Sequence, residues 1–243
     1  MSFTYLIYTH EEYSDVLYIH LKRLTKHYPG IKPKIATNSI EYLIKNYSYI
    51  SENDIIIYDS KQTYAEKVKS VLQTIKTKYV LFNHDNNILV GDVNVEKINE
   101  ILLSMENNNI DQFRLFVSGI DNADFSENLL KENKGPYYYS VISALWNVNT
   151  LVDIMSVFNN SSYRTIELHS QEYVSKFNNY YLSSPNDKQF TNEGHYLSYY
   201  FPICHCITYG KWITIGSPMN KKFIEDISIE YNIDLNKRGH YNK

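Results

Sequence analysis

"DIIIYDSKQTYAEKVKSVLQTIKTKYVLFNHDNN", residues 54–87, decides how the rest of the chain is read. It opens on a short Ile-rich run (54–59), too brief for a helix and bounded by polar residues. Residues 63–76 then place Tyr64, Val68, Val71, Leu72 and Ile75 on one stripe of helical period. "KYVLFN" (78–83) returns to a short apolar run and breaks into Asn83, His84, Asp85, Asn86 and Asn87. Strand, helix and strand with short links predict a mostly parallel sheet whose strands are buried on both faces.

The same alternation runs outward in both directions. "FTYLIYT" (3–9) reads as a strand, and 13–27 as a helix carrying Val16, Leu17, Leu21 and Leu24. "KPKIATN" (32–38) is a strand, 40–47 a short helix, 94–106 a helix striped by Val95, Ile98, Ile101, Leu102 and Met105, and "DQFRLFVSG" (111–119) a strand. The second half is less regular. "GPYYYS" (135–140) reads as a turn into a helix over 141–158, and 166–177 as a further helix. Residues 186–195 form a polar loop, 196–213 are aromatic and extended, 219–232 are a modest helix, and "NKRGHYNK" frays. No internal repeat or low-complexity linker is present.

In open parallel sheets ligands bind beyond the carboxyl ends of the strands. His10 to Glu12, Asp59 to Lys61, and Asn83 to Asn87 all follow predicted strands, so three polar clusters fall on one rim.

Composition narrows the function. The 243 residues carry a net charge of −3, 43% hydrophobic and 21% charged side chains, as expected of an ordinary globular protein. No basic patch stands out, which argues against nucleic acid as the partner. Tyrosine occurs 24 times, through AT-rich coding bias or as aromatic surface for stacking on sugars and bases. The two cysteines, in "ICHCI", are poorly spaced for a disulfide and lack a second ligand pair for zinc. They suit a reduced intracellular protein, and a cytoplasmic location is expected. Neither a signal peptide nor a membrane span is read from the sequence, and the Asn-x-Ser triplets at Asn46, Asn159 and Asn160 are not expected to be glycosylated. Motifs for dinucleotides, P-loops, zinc proteases and nucleophile elbows are absent.

Several stretches in order carry a resemblance. "YTHEEYSDVL", "IIIYDSKQTYAEKV", "YVLFNHDNNIL", "SALWNVNTL", "IELHSQEY", "GHYLSYYFP", "GKW" and "YNIDLNKRG" together resemble a bacterial and large-virus group of GT-A type glycosyltransferases, over about residues 3–239. The resemblance implies a Rossmann-type, mostly parallel sheet flanked by helices, with an irregular acceptor-side C-terminal half. It implies a single domain over 1–243. Residues 1–120 would be the nucleotide-sugar half, and 121–243 the acceptor half with a C-terminal closing loop. It further implies transfer from a nucleotide-diphosphate sugar to a glycan or other hydroxyl acceptor, aided by Mn²⁺ or Mg²⁺. A homodimer is compatible with the tyrosine content.

Residue by residue, Asp85 would supply a carboxylate to the metal that neutralises the diphosphate. Asn87 stands where the group carries a second acid; it offers an oxygen without charge, so metal affinity should fall. Ser60 also replaces an expected acid, and Lys67 lies near an expected arginine. Without the resemblance, residues 83–87 read as an ordinary Asx-rich turn; with it, as a donor site. Thr9, His10, Glu11 and His84 would line the donor, or cap the entry to the first helix. Asp59 would bind ribose or base, or favour a helix dipole. Tyr64 and Lys67 sit one turn apart toward the phosphates, although a solvated lysine is the plainer reading. His195, after Gly194, would touch metal or diphosphate, and Lys211 in "GKW" would balance phosphate charge on loop closure.

An inverting transfer needs a base for the acceptor hydroxyl. Glu167, read as opening a helix, is the first candidate, with Asp121 and Asp124 in reserve. Tyr138 and Tyr139 are placed for stacking on an acceptor sugar, while Trp146 reads as core. Two other functions share this rim: a catalytically weakened nucleotide-sugar or glycan-binding module, and a metal-dependent phosphohydrolase or nucleotidyltransferase, which would need more clustered acids.

Overall fold

The computed structural model describes residues 2–47, 50–115, 129–131, 138–182, 198, 200–214 and 218–241. The decisive stretch folds as read: β3 (Ile55–Ile57), α3 (Tyr64–Leu72) and β4 (Tyr79–His84). A capping box starts α3: the Thr63 hydroxyl accepts from the Glu66 backbone N–H, and the Glu66 carboxylate accepts from that of Thr63. Before it come β1 (Phe3–Tyr8), α1 (Ser14–His27), β2 (Lys34–Thr37) and α2 (Ile40–Asn46). After it come β5 (Asn87–Leu89), α4 (Val95–Asn107), β6 (Gln112–Arg114) and β7 (Leu129–Lys131). The remainder is β8 (Ala144–Asn147), α5 (Val148–Val157), α6 (Tyr163–His169), α7 (Gln171–Val174), β9 (Asn179–Leu182), β10 (Ile203–His205), β11 (Ile207–Thr208), β12 (Lys211–Trp212) and α8 (Pro218–Glu230).

The main sheet has eight strands in the order β3-β2-β1-β4-β8-β6-β9-β7. Strands β3, β2, β1 and β4 are parallel, as are β6 and β9; β8 and β7 run against them. Alternation along β1 and β4 sorts their side chains to two cores. Tyr5, Ile7, Tyr79 and Leu81 join α1 and α4 on one face; Leu6, Val80 and Phe82 join α3 and α5 on the other. A third cluster lies behind α1, where Val16 and Ile19 meet Ile88, Cys204, Cys206, Trp212 and α8. Both cysteines are free and buried there.

The chain departs from its sequence reading in three places. The helix expected over 141–158 begins only at Val148, because 144–147 is the central strand β8. A short apolar run buried on both faces has no periodicity to separate strand from helix. Asn147 ends the strand and caps α5 through its side chain. Trp146 is fully buried, as expected of core. The helix expected over 166–177 is two helices interrupted at buried Ser170, and it starts earlier, with Ser162 as its cap. Glu167 therefore lies in the second half of α6 and does not open it.

The tail is also ordered rather than frayed. Leu235–Lys237 form a 3-10 turn. Arg238 donates to the Asp15 carboxylate and the Glu12 carbonyl, and the Tyr241 N–H donates to the Trp212 carbonyl. Among the described residues no helix is long and apolar enough to cross a membrane.

Candidate functional site

Parallel strands end at one edge, and there the backbone leaves the sheet with polar side chains. Strand β1 delivers Tyr8, Thr9 and His10; β4 delivers His84, Asp85 and Asn86; β6 ends on Arg114. Strand β8 runs the other way, so its approach, Ser140 to Ile142, reaches the same edge. These residues line a cavity of about 610 Å³, closed on its far side by Tyr163, Arg164, Glu167 and Leu168 of α6 and by His205, Ile207, Thr208 and Tyr209 near the β11–β12 hairpin. The size and mixed lining suit a small-molecule site.

Asp85 sits on the inner wall, 5% exposed. Its Oδ2 accepts a 2.6 Å hydrogen bond from the Thr9 hydroxyl, and its backbone carbonyl contacts His20 Nδ1 at 2.9 Å. Burial, against the Thr9 hydrogen bond and the Arg238 charge, pushes its carboxyl up to about 7. His84 Nε2 lies 3.0 Å from the Tyr64 hydroxyl, which lies 2.7 Å from that of Tyr139. Burial and then the charge of His205 bring His84 down to about 3, so it is neutral. The ring of Tyr8 stacks on Tyr58 at 5.1 Å and abuts Tyr64 and His84.

Glu167 faces this wall from α6. Its Oε1 accepts from the Val141 N–H at 2.9 Å. Burial pushes its carboxyl above the usual range, opposed by the hydrogen bonds from Val141 and Ser140 and by Arg164. The Val141 N–H and the Ser140 hydroxyl hold this half-buried carboxylate in place at the cavity wall.

Of the residues singled out in the sequence, Thr9, His10, Tyr64, His84, Asp85 and Glu167 line one cavity. Others do not. Glu11 is exposed and pairs with the Asn38 side chain. Asp59 is exposed and accepts from the Lys61 N–H, an Asx turn on the rim. Lys67 lies over the Tyr58 ring, 5.6 Å from its centroid. Lys211 is exposed on β12, beside the turn that does reach the cavity.

Tyr138 and Tyr139 require a correction as stacking surfaces: they are 4% and 0% exposed and pack in the core with Trp146. The apolar run that follows them is a central strand, which draws them inside. Asp121, Asp124 and His195 lie outside the described residues.

Asn87 is likewise withdrawn. Opposite His205 in the β5–β10 pair, it is fully buried; its Oδ1 contacts His205 Nδ1 at 3.0 Å and its amide donates to the Val141 carbonyl at 3.1 Å. Its position is architectural, tying β5 to β10 and to the approach of β8. The described residues contain no group of three or more His, Cys, Asp or Glu able to hold a metal ion. As built, with one carboxylate bonded to Thr9 and Asn87 committed elsewhere, the described residues do not fit a resident divalent cation.

Arg114 and His205 were missed in the sequence. Arg114 is 3% exposed and is a charged side chain on a central strand. An arginine inside the apolar run "DQFRLFV" was the available signal, since arginine is almost never fully buried unless paired. His205 was concealed in "ICHCI", where the flanking cysteines drew attention to zinc.

Comparison with known proteins bears on the fold. No family model and no curated protein matches the chain. Two solved structures of the glycosyltransferase GlyE of Streptococcus pneumoniae TIGR4 are similar, with TM-scores of 0.50 and 0.51, identities of 13% and 12%, and coverage of 96% and 97% of this chain but 63% of GlyE. S. aureus TarS is similar at a TM-score of 0.47 and 12% identity, over 77% of this chain and 38% of TarS. The chain thus spans less than two thirds of these proteins. At such identities the likeness to GlyE establishes the fold alone: a GT-A-like, Rossmann-type sheet flanked by helices.

Proposed function

We propose that the chain is a glycosyltransferase that moves a sugar from a nucleotide-diphosphate sugar to a hydroxyl of a glycan acceptor. The observation that carries this reading is the convergence of Thr9, His10 and Asp85, from the carboxyl ends of β1 and β4, with Glu167 of α6 around one cavity. The strand-end side is where a GT-A-like sheet would take the nucleotide sugar. The α6 side, where Glu167 lines the cavity, would take the acceptor.

In this mechanism Glu167 takes the proton of the acceptor hydroxyl. The acceptor oxygen bonds to the anomeric carbon as the bond from that carbon to the phosphate oxygen breaks, and the nucleoside diphosphate leaves with the electron pair. A carboxyl raised above its ordinary value holds the accepted proton more firmly, which suits a base. Arg114 lines the cavity where β6 ends, on the strand-end side, and would supply positive charge for the leaving diphosphate. Neutral His84 and Tyr64 give a wall of donors and acceptors without net charge.

The test is release of nucleoside diphosphate from a panel of UDP-, GDP- and TDP-linked sugars with mixed saccharide acceptors, by the wild type and Glu167→Gln. Acceptor-dependent release by the wild type, lost in the variant, supports the reading. One observation favours a second reading, a nucleotide-sugar or glycan-binding module: Asn87 stands where the resemblance expects an acid and is committed to structure. Tight binding without release would select it.

A further inference from the structure

We propose that Tyr209, which lines the cavity together with Tyr163 of α6, is the surface on which the acceptor saccharide stacks, an inference that rests on the glycosyltransferase reading above. Tyr209 is 63% exposed and Tyr163 41% exposed, yet both line the cavity. Tyr163 is on α6, one turn before Glu167, and Tyr209 is at the tip of the β11–β12 hairpin.

The backbone at that tip is informative. Register pairs Thr208 with Lys211, so Tyr209 and Gly210 alone form the turn. Both have positive φ, 50° and 75°. Such a two-residue turn favours Asn-Gly or Gly-Gly, because left-handed backbone crowds a large side chain. A tyrosine is held there against local preference, which occurs where the surroundings fix a side chain for use.

The surroundings do fix it. The Arg164 guanidinium donates to the Tyr209 hydroxyl and lies 6.0 Å from its ring centroid. The ring of Tyr241 stands 5.9 Å away on another side. Tyr163 is set edge-on to Tyr64, with centroids 6.0 Å apart. Burial raises the Tyr163 hydroxyl above its usual value, and the charges of Glu167 and Tyr209 add to it. A pyranose has an apolar C–H face and a polar rim. Two exposed rings with hydroxyls, lining one cavity with a carboxylate base, match that chemistry, and a sugar stacked there brings a hydroxyl toward Glu167. The buried Tyr138 and Tyr139 offer no such face.

The test exploits the turn. Tyr209→Gly removes the ring and relieves the backbone, so its Tm should be no lower than the wild type's. Acceptor KM should rise about tenfold or more, the loss of about one ring's stacking. Nucleotide-sugar affinity should stay within about twofold. Tyr209→Phe keeps the ring and should stay near the wild type.

Binding of short gluco-, galacto-, manno- and N-acetylglucosamine oligosaccharides by saturation-transfer NMR reads the platform without a donor. Loss of that signal in Tyr209→Gly supports the proposal, even if the wild type turns over no nucleotide sugar and the transferase reading falls. Unchanged oligosaccharide binding or unchanged acceptor KM in Tyr209→Gly overturns it, as does absence of binding by the wild type to every oligosaccharide and acceptor.

Discussion

Replacing Asp85 with asparagine should stabilise the protein, and increasingly so as pH rises. The Asp85 carboxyl ordinarily titrates at 3.8 and is held at about 7, chiefly by burial. Below pH 3.8 it is neutral in folded and unfolded chains and costs nothing. As pH climbs toward 7 the unfolded chain ionises and the folded chain resists, so stability is progressively lost; above 7 the loss is complete. At 1.36 kcal/mol per decade, the ceiling is about 4 kcal/mol. Asparagine has the same shape, its amide oxygen can accept from the Thr9 hydroxyl, and it never ionises. Asp85→Asn should therefore gain about 2 kcal/mol or more at pH 8.5, some 4–8 °C in Tm for a domain of this size. Near pH 4.5 the gain should shrink to about a quarter of its value at pH 8.5. The assay is thermal unfolding of both proteins in EDTA from pH 4.5 to 8.5. A gain independent of pH, or a loss at pH 8.5, would refute the assignment of Asp85 as a buried acid kept at a cost in stability. Transfer activity should fall in the same variant, as at a site that trades stability for function.

Three further outcomes are expected. Glu167→Gln should lower transfer about 10²- to 10⁴-fold with nucleotide-sugar affinity by calorimetry unchanged, since only the base is removed. Arg238→Ala breaks the half-buried pair with Asp15 and takes the guanidinium from over the Tyr13 ring, 4.7 Å from its centroid; a loss of about 1–3 kcal/mol in urea unfolding is expected after allowing for solvent screening. Burial brings His20 down to about 4, so its contribution is intact above pH 6.5 and lost as pH falls toward 4. His20→Gln should make the decline in stability from pH 7 to 4.5 shallower by about 2–3 kcal/mol, and an unchanged slope would show that His20 is not the acid-labile group.

Much of the N-terminal half was legible because local pattern and tertiary role agree there. The stripe Tyr64, Val68, Val71, Leu72 and Ile75 is both a helix signal and the face that packs on the sheet. The apolar runs before Thr9 and Asp85 end at the sheet edge, so strand ends located the wall of the cavity. The C-terminal half was not legible for the opposite reason. β8 is inserted between β4 and β6, far from either in sequence, and its run reads as the first turns of α5. Once it is a strand, Tyr138 and Tyr139 fall into the core. Asn87 is withdrawn by its cross-strand partner His205, 118 positions later. Tyr209 reaches the cavity through a hairpin whose placement depends on the C-terminal turn, and Arg114 becomes a cavity residue only because β6 ends at the same edge as β4.

The most direct measurement is thermal unfolding with UDP, GDP, CMP, TDP and their common sugars, each in EDTA and in Mn²⁺. At about 100 times its dissociation constant, a bound ligand adds about 2.7 kcal/mol, several degrees in Tm. The account predicts a shift with one nucleotide and its sugars, already present in EDTA, because the described residues fit arginine and histidine contacts better than a metal. A shift seen only in Mn²⁺ would contradict that account of the diphosphate, and no shift with any nucleotide or nucleotide sugar would contradict the proposed function itself.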